Sequence, residues 1–187
     1  TYACPTEAKK LQAWDNAVDF QTYVNSLTPS GNTYHDIGLL WGARFTSPTG
    51  IFASENALTP QGGEIDRHII FMTDGDACTG VTNYNAYGVA WYDRRQTPAG
   101  TVPTDGCTST GTLTEQVNLR TEALCTAIKN KNITLWVIAF GDLAVSTEAR
   151  LAACATTDRY FKATDAATLQ QTFKTIADQI SALRLTQ

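Results

Sequence analysis

The chain has 187 residues, 43% of them hydrophobic, and a formal net charge of −4. That length suits one domain with a sizeable core. The lysines and arginines are scattered, so there is no electrostatic footprint for nucleic acid, and no apolar run approaches the ~20 residues needed to cross a bilayer.

In chain order, Tyr2-Ala3 reads as the end of a strand. A helix is expected over 7–27, with Leu11, Trp14, Val18, Tyr23 and Leu27 on its apolar face. Thr28-Pro29-Ser30-Gly31 breaks it. A second helix runs from Thr33 to about Phe45, with Ile37, Leu40, Trp41 and Phe45 as its face. Loops at 47–50 and 60–63 precede an apolar run, His68-Ile69-Ile70-Phe71-Met72, which stops at Thr73-Asp74-Gly75. Its β-branched and aromatic content, without helical spacing, predicts a buried strand over 67–73. The stretch 75–112 is too long for a plain connection and reads as an insertion with functional or packing value. A helix over 113–130, a buried strand over 133–140, a short helix over 147–153 and an edge-like strand over 159–163 follow. Asp165 then caps a final helix over 166–183, with Leu169, Phe173, Ile176, Ile180 and Leu183 on one face. Strands alternating with helices predict an α/β, doubly wound, mostly parallel sheet.

There is no signal-peptide pattern and no initiator Met, so Thr1 is expected to begin a mature or trimmed fragment. The five cysteines contain no Cys-x-x-Cys, and with only two histidines a zinc site is a poor reading. Two disulfides, Cys125–Cys154 and Cys78–Cys107, with Cys4 left over, suit an oxidising compartment. Other pairings, or five reduced cysteines in a cytosolic domain, remain open at this level.

The chemistry concentrates at Thr-Asp-Gly. In an open parallel sheet, ligands bind where strand carboxyl ends become loops. Asp74 at such a tip either caps the turn or offers a carboxylate to a hard cation. Thr33, at the entry to the second helix, either caps it or offers a hydroxyl oxygen.

Thr33 and Asp74, in this order, resemble two of the three metal-site loops of the von Willebrand factor A (vWA) domain. The first loop of that family, Asp-x-Ser-x-Ser, does not occur between Thr1 and Gln187. The segments GNTYHDIGLLWGARFTSP, ENALTP, RHIIFMTDGD, NYNAYGVAWYDRR, IKNKN, ITLWVIAFG and TLQQTFKTIADQISALRLT resemble more narrowly the A-type domain of TadG-like proteins. These belong to the TadE/TadG family of membrane-anchored proteins that assemble Tad (tight adherence) pili. The resemblance covers almost the whole chain.

It implies a sheet of order 3-2-1-4-5-6, of which this chain supplies strands four to six. The first strand and its metal loop are missing, and an upstream segment or a partner chain would complete the sheet. It also implies a non-enzymatic adhesion module, binding a protein of the pilus or envelope through Mg²⁺ (or Mn²⁺ or Ca²⁺) held by Thr33 and Asp74. Its place would be extracytoplasmic, anchored by a membrane helix outside this chain.

Two rivals stand beside that reading. A Mg²⁺-dependent hydrolase would use Asp74 and Asp76, joined by Asp105, Glu115 or Asp142. A structural module would keep a degenerate metal site. Neither His35 nor His68 has a catalytic context, and both read as structural or surface residues. Tyr84, Tyr87, Trp91 and Tyr92 either form a partner-binding rim near Asp74 or pack the insertion against its own domain.

Overall fold

The computed structural model describes residues 6–59 and 61–183. The expected strand end at Tyr2-Ala3, the leftover Cys4 and the Leu183 side chain lie outside the described part.

Three parallel strands form the centre: β1 (His68–Thr73), β6 (Thr134–Phe140) and β7 (Tyr160–Ala163), in the order β1-β6-β7. They are the three strands expected from the sequence at 67–73, 133–140 and 159–163, each one residue shorter at its start. β6 is the middle strand and its interior is buried on both faces from Leu135 to Ala139, as a strand covered on two sides must be.

Helices α2 (His35–Thr46), α5 (Thr112–Lys129) and α6 (Val145–Cys154) cover one face. Leu39, Cys125, Ile128 and Leu151 meet Ile69, Leu135, Val137 and Ala139 there. Helix α7 (Ala166–Leu183) covers the other, burying Ile176 against Trp136, Ile138 and Ala163. Asp165 caps α7 as expected, with Oδ1 accepting from the Thr168 N–H at 2.8 Å. Phe173 is off the buried face, and Thr172 is buried in that part of the helix instead.

Ile70 stands opposite Trp136, and Met72 opposite Ile138. Registered neighbours in a parallel sheet point to the same face. Yet α7 leaves Ile70 41% and Met72 47% exposed. Among the described residues β1 has a strand on one side only. The opened edge expected from the sequence is thus present, with a bare apolar face beside it.

The first expected helix is much shorter. Only α1 (Ala17–Ser26) forms, entered at Asn16, whose Oδ1 accepts from the Val18 N–H at 2.8 Å. None of its residues is buried. Leu11, Val18 and Leu27, assigned to a core-facing stripe, are exposed. Trp14 packs against Phe20 and Tyr23 instead, a local aromatic cluster. The spacing of apolar residues was real, but no partner surface meets it.

The 75–112 insertion has its own architecture. β2 (Cys78–Thr79) pairs with β5 (Gly106–Cys107), and β3 (Tyr84–Asn85) with β4 (Gly88–Val89), both antiparallel. A one-turn helix, α4 (Ala90–Asp93), follows β4. A second short helix outside the sequence expectation, α3 (Ala53–Asn56), precedes the sheet. Both disulfides form as expected. Cys78–Cys107 closes the β2–β5 pair, and Cys125–Cys154 ties α5 to the end of α6.

Candidate functional site

The carboxyl end of β1 turns through Thr73, Asp74 and Gly75. The Thr73 hydroxyl donates to the Gly75 carbonyl at 3.0 Å and accepts from the Gly75 N–H at 3.3 Å, so the turn is closed on itself. Across from it, Thr33 makes an antiparallel bridge to Cys78: each N–H donates to the other's carbonyl at 3.0 Å. Thr33 therefore does not cap α2. The cap position is Tyr34, which makes no side-chain cap bond. The bridge brings the helix-entry loop to the same edge of the sheet as Asp74, four residues before Cys78.

His35 ties the two loops together. Its Nε2 lies 3.1 Å from the Gly75 carbonyl and 3.1 Å from the Thr73 hydroxyl. A carbonyl only accepts, so Nε2 carries the proton. Of the two readings the sequence left for His35, structural or surface, the structural one holds. Its only signal there is closeness to Thr33. His68 sits at the other end of β1, accepting from the Trp136 indole at Nδ1 (3.1 Å) and meeting Asp66 through Nε2 (3.0 Å).

The two acids of Asp-x-Asp have different environments. Asp74 is exposed, and the hydrogen bonds of this turn among the described residues run through Thr73, Gly75 and Asp76 rather than its carboxylate. Asp76 clamps three segments: it accepts from the Thr108 hydroxyl at 2.6 Å and the Ala144 N–H at 3.3 Å. No group of three His, Cys, Asp or Glu gathers with metal-site geometry among the described residues. Asp105, Glu115 and Asp142 are therefore not drawn into one carboxylate cluster with Asp74 and Asp76.

Burial pushes the His35 ring below its ordinary pKa of 6.5, outweighing the Gly75 hydrogen bond and the Asp36 and Asp76 charges that raise it. Burial alone would raise the Asp76 carboxyl. The Thr108, Thr147 and Ala144 hydrogen bonds and His35 together hold it below its ordinary 3.8. Both groups bind protons more readily in the unfolded chain, so stability rises with pH across their windows. The His35 contribution is complete above pH 6.5 and is lost as pH falls from there towards its folded value. That of Asp76 is complete above 3.8 and is lost as pH falls through its lower folded value. The melting temperature should therefore begin to fall just below pH 6.5, and His35→Gln should remove that first step. A flat wild-type profile from about pH 7 to 5 would contradict it.

The β3–β4 ribbon is rooted beside Thr33. The Asn83 side-chain amide donates to Asn32 Oδ1 at 2.6 Å, and the Gly80 N–H donates to the Tyr34 hydroxyl at 3.4 Å. Tyr84 and Tyr92 are each 81% exposed and Trp91 45%, whereas Tyr87 is half-buried. Three of the four aromatics thus face solvent, and Tyr87 packs against Arg120, whose guanidinium lies 4.9 Å from its ring centre.

Beneath Tyr87 is a buried pair that the sequence did not announce. Asp36 on α2 is 0% exposed, and its Oδ2 accepts from Arg120 Nε on α5 at 2.7 Å. Arg120 also donates to the Gln96 carbonyl at 3.4 Å. A signal for it exists: Asp36 precedes Leu39 and Leu40, and Arg120 follows Val117, each at apolar-stripe spacing and of opposite sign.

The chain matches no protein-family model, no curated protein and no solved structure. Its architecture rests on its own geometry, a three-stranded parallel sheet flanked by helices on both faces and compatible with a doubly wound α/β fold.

Proposed function

We propose that this chain is the C-terminal part of a vWA-type domain from a TadG-like pilus-assembly protein, and that it binds a protein partner through a divalent metal. The observation that carries the reading is the exposed Asp74 on a turn locked by His35 to the helix entered through Thr33. Thr33 and Asp74 offer hydroxyl and carboxylate oxygens, the donors that Mg²⁺, Mn²⁺ and Ca²⁺ accept. They are two donors of a larger set, and the rest would come from the missing first loop and from water. A cation bound there supplies an electrophilic position for a partner's Asp or Glu. Asp74 and Thr33 then hold and orient it, and no nucleophile or general base is needed.

The bare Ile70 and Met72 support a missing upstream strand or partner chain that completes the sheet. Fully burying such side chains is worth about 1.5–3 kcal/mol each. The two disulfides support an extracytoplasmic place.

The test uses the full-length protein. MgCl₂ should give a saturable heat in titration calorimetry, and Asp74→Ala should abolish it while leaving the unfolding free energy within about 0.5 kcal/mol of wild type. An identical heat from Asp74→Ala would sink the site. No heat in the wild type would favour a structural module with a degenerate site. Turnover of a phosphate ester that depends on both Asp74 and Asp76 would favour the hydrolase.

A further inference from the structure

A solvent-open cavity of about 690 Å³ lies between the β3–β4 ribbon, the segment after α4 and the middle of α5. That is within the ~300–1,000 Å³ typical of small-molecule sites. Tyr84, Tyr87, Asp93, Arg95, Gln96 and Arg120 line it.

Unpaired polar atoms gather here. Gln96 is only 5% exposed, and its Oε1 accepts from the Asn85 amide at 3.4 Å, but its Nε2 has no partner among the described residues. Arg120 Nη2 and Asp36 Oδ1 are also buried and, beyond the Tyr87 hydroxyl beside them, have no partner among the described residues. Buried polar groups nearly always have partners, and a cluster of exceptions at a cavity marks a place where a ligand or water is bound. An apolar ligand would leave these donors stranded.

Charge narrows the class. Arg120 is paired with Asp36 at 2.7 Å and Arg95 with Asp93 at 3.3 Å, so the two cations meet two carboxylates and the site is balanced. An anion finds no uncompensated positive charge. What remains is a set of planar hydrogen-bonding groups, donors and acceptors together, beside exposed tyrosine. A sugar ring matches this set, with an apolar C–H face for an aromatic ring and hydroxyls that both donate and accept.

The arrangement is also held in advance. Asp93 Oδ2 accepts from the Val89 N–H at 3.1 Å and from Arg95 at 3.3 Å. The positive φ of Gly88 (+99°) favours glycine, and a Cβ there would displace the Asp93 carboxylate, lying 1.9 Å from that oxygen. Preorganised polar groups lower the cost of binding.

We propose that this cavity binds a short neutral oligosaccharide, with Tyr84 as its stacking platform and Asp93, Arg95 and Gln96 as its hydrogen-bonding edge. The site is separate from Thr33 and Asp74 and does not need their metal.

The test is an NMR titration of the isotopically labelled chain in EDTA with maltotriose, cellotriose and chitotriose, and with trigalacturonate and an acidic peptide as charged comparisons. At least one neutral trisaccharide should give saturable shifts centred on Tyr84, Tyr87, Arg95 and Gln96. Tyr84→Ala should bind it about tenfold more weakly at an unchanged melting temperature. Tyr92→Ala, equally exposed but outside the cavity lining, should bind as the wild type does. The proposal is overturned by no saturable shift from any of the three, by equal binding in Tyr84→Ala, or by tighter binding of either charged probe. Binding that persists in EDTA separates this outcome from the fate of the metal reading.

Discussion

Reducing both disulfides is expected to remove most of this chain's stability. Each joins residues 29 apart in sequence. Closing a loop of that size restricts the unfolded chain by about 3.5 kcal/mol in the chain-entropy account. Together the two approach the lower part of the ~5–15 kcal/mol that ordinary domains possess. The two bonds should not count equally. Cys125 and Cys154 are 2% and 4% exposed and belong to the main core beneath the sheet, whereas Cys107 is exposed in the insertion. The Cys125→Ala/Cys154→Ala chain should therefore melt lower than Cys78→Ala/Cys107→Ala, because it also thins the packing between α5 and α6. Thermal unfolding with and without reductant, with thiols counted by mass spectrometry, checks this. An unchanged melting temperature in chains shown to be fully reduced would reject it.

The second large effect is expected at Asp36 and Arg120. Removing one partner of a buried pair typically costs about 3–5 kcal/mol, because the other charge is stranded away from water. Here the partners are not equivalent. Asp36 is fully buried, whereas the Arg120 side chain is 30% exposed. Arg120→Leu should therefore be the more damaging change, leaving Asp36 without a counter-charge at the α2–α5 interface. Asp36→Asn leaves an arginine that still reaches water, Tyr87 and the Gln96 carbonyl, and should cost about half as much. Denaturant unfolding of both single variants and the double variant measures the coupling. Equal losses from the two single changes would remove the argument.

What the sequence made legible follows from the range over which each signal acts. β6 was readable because a strand buried on both faces needs a continuous apolar run, which is local information; β1 carries the same kind of run although Ile70 and Met72 are left exposed. Asp165 at the start of α7 was readable for the same reason, since its partner is three residues away. The first helix was overextended because spacing reports that a face exists and not that anything covers it; Leu11, Val18 and Leu27 meet no core. Thr33 was placed correctly before α2, but of its two readings the helix cap does not hold. Its true partner, Cys78, lies 45 residues on, and no local signal specifies a bridge. The same distance argument hides the Asp36–Arg120 pair, 84 residues apart, and the way His35 reaches Gly75. Asp74 and Thr33 were visible as oxygen-bearing residue types at a strand tip and a helix entry, whereas the charge-balanced cavity became visible only when β3, β4 and α5 converged.

The disulfide between β2 and β5 has one more consequence. The Cα atoms of Cys78 and Cys107 are 4.1 Å apart, close to the 3.80 Å step between consecutive residues. The chain leaves the scaffold and returns to it through what is nearly a single point. A two-residue hairpin turn would close the same gap. The segment between the two cysteines thus joins the scaffold at one place, and a change of length at its exposed turns, away from Asn83, Tyr87 and Gln96 that touch the body, would disturb no register in the sheet below.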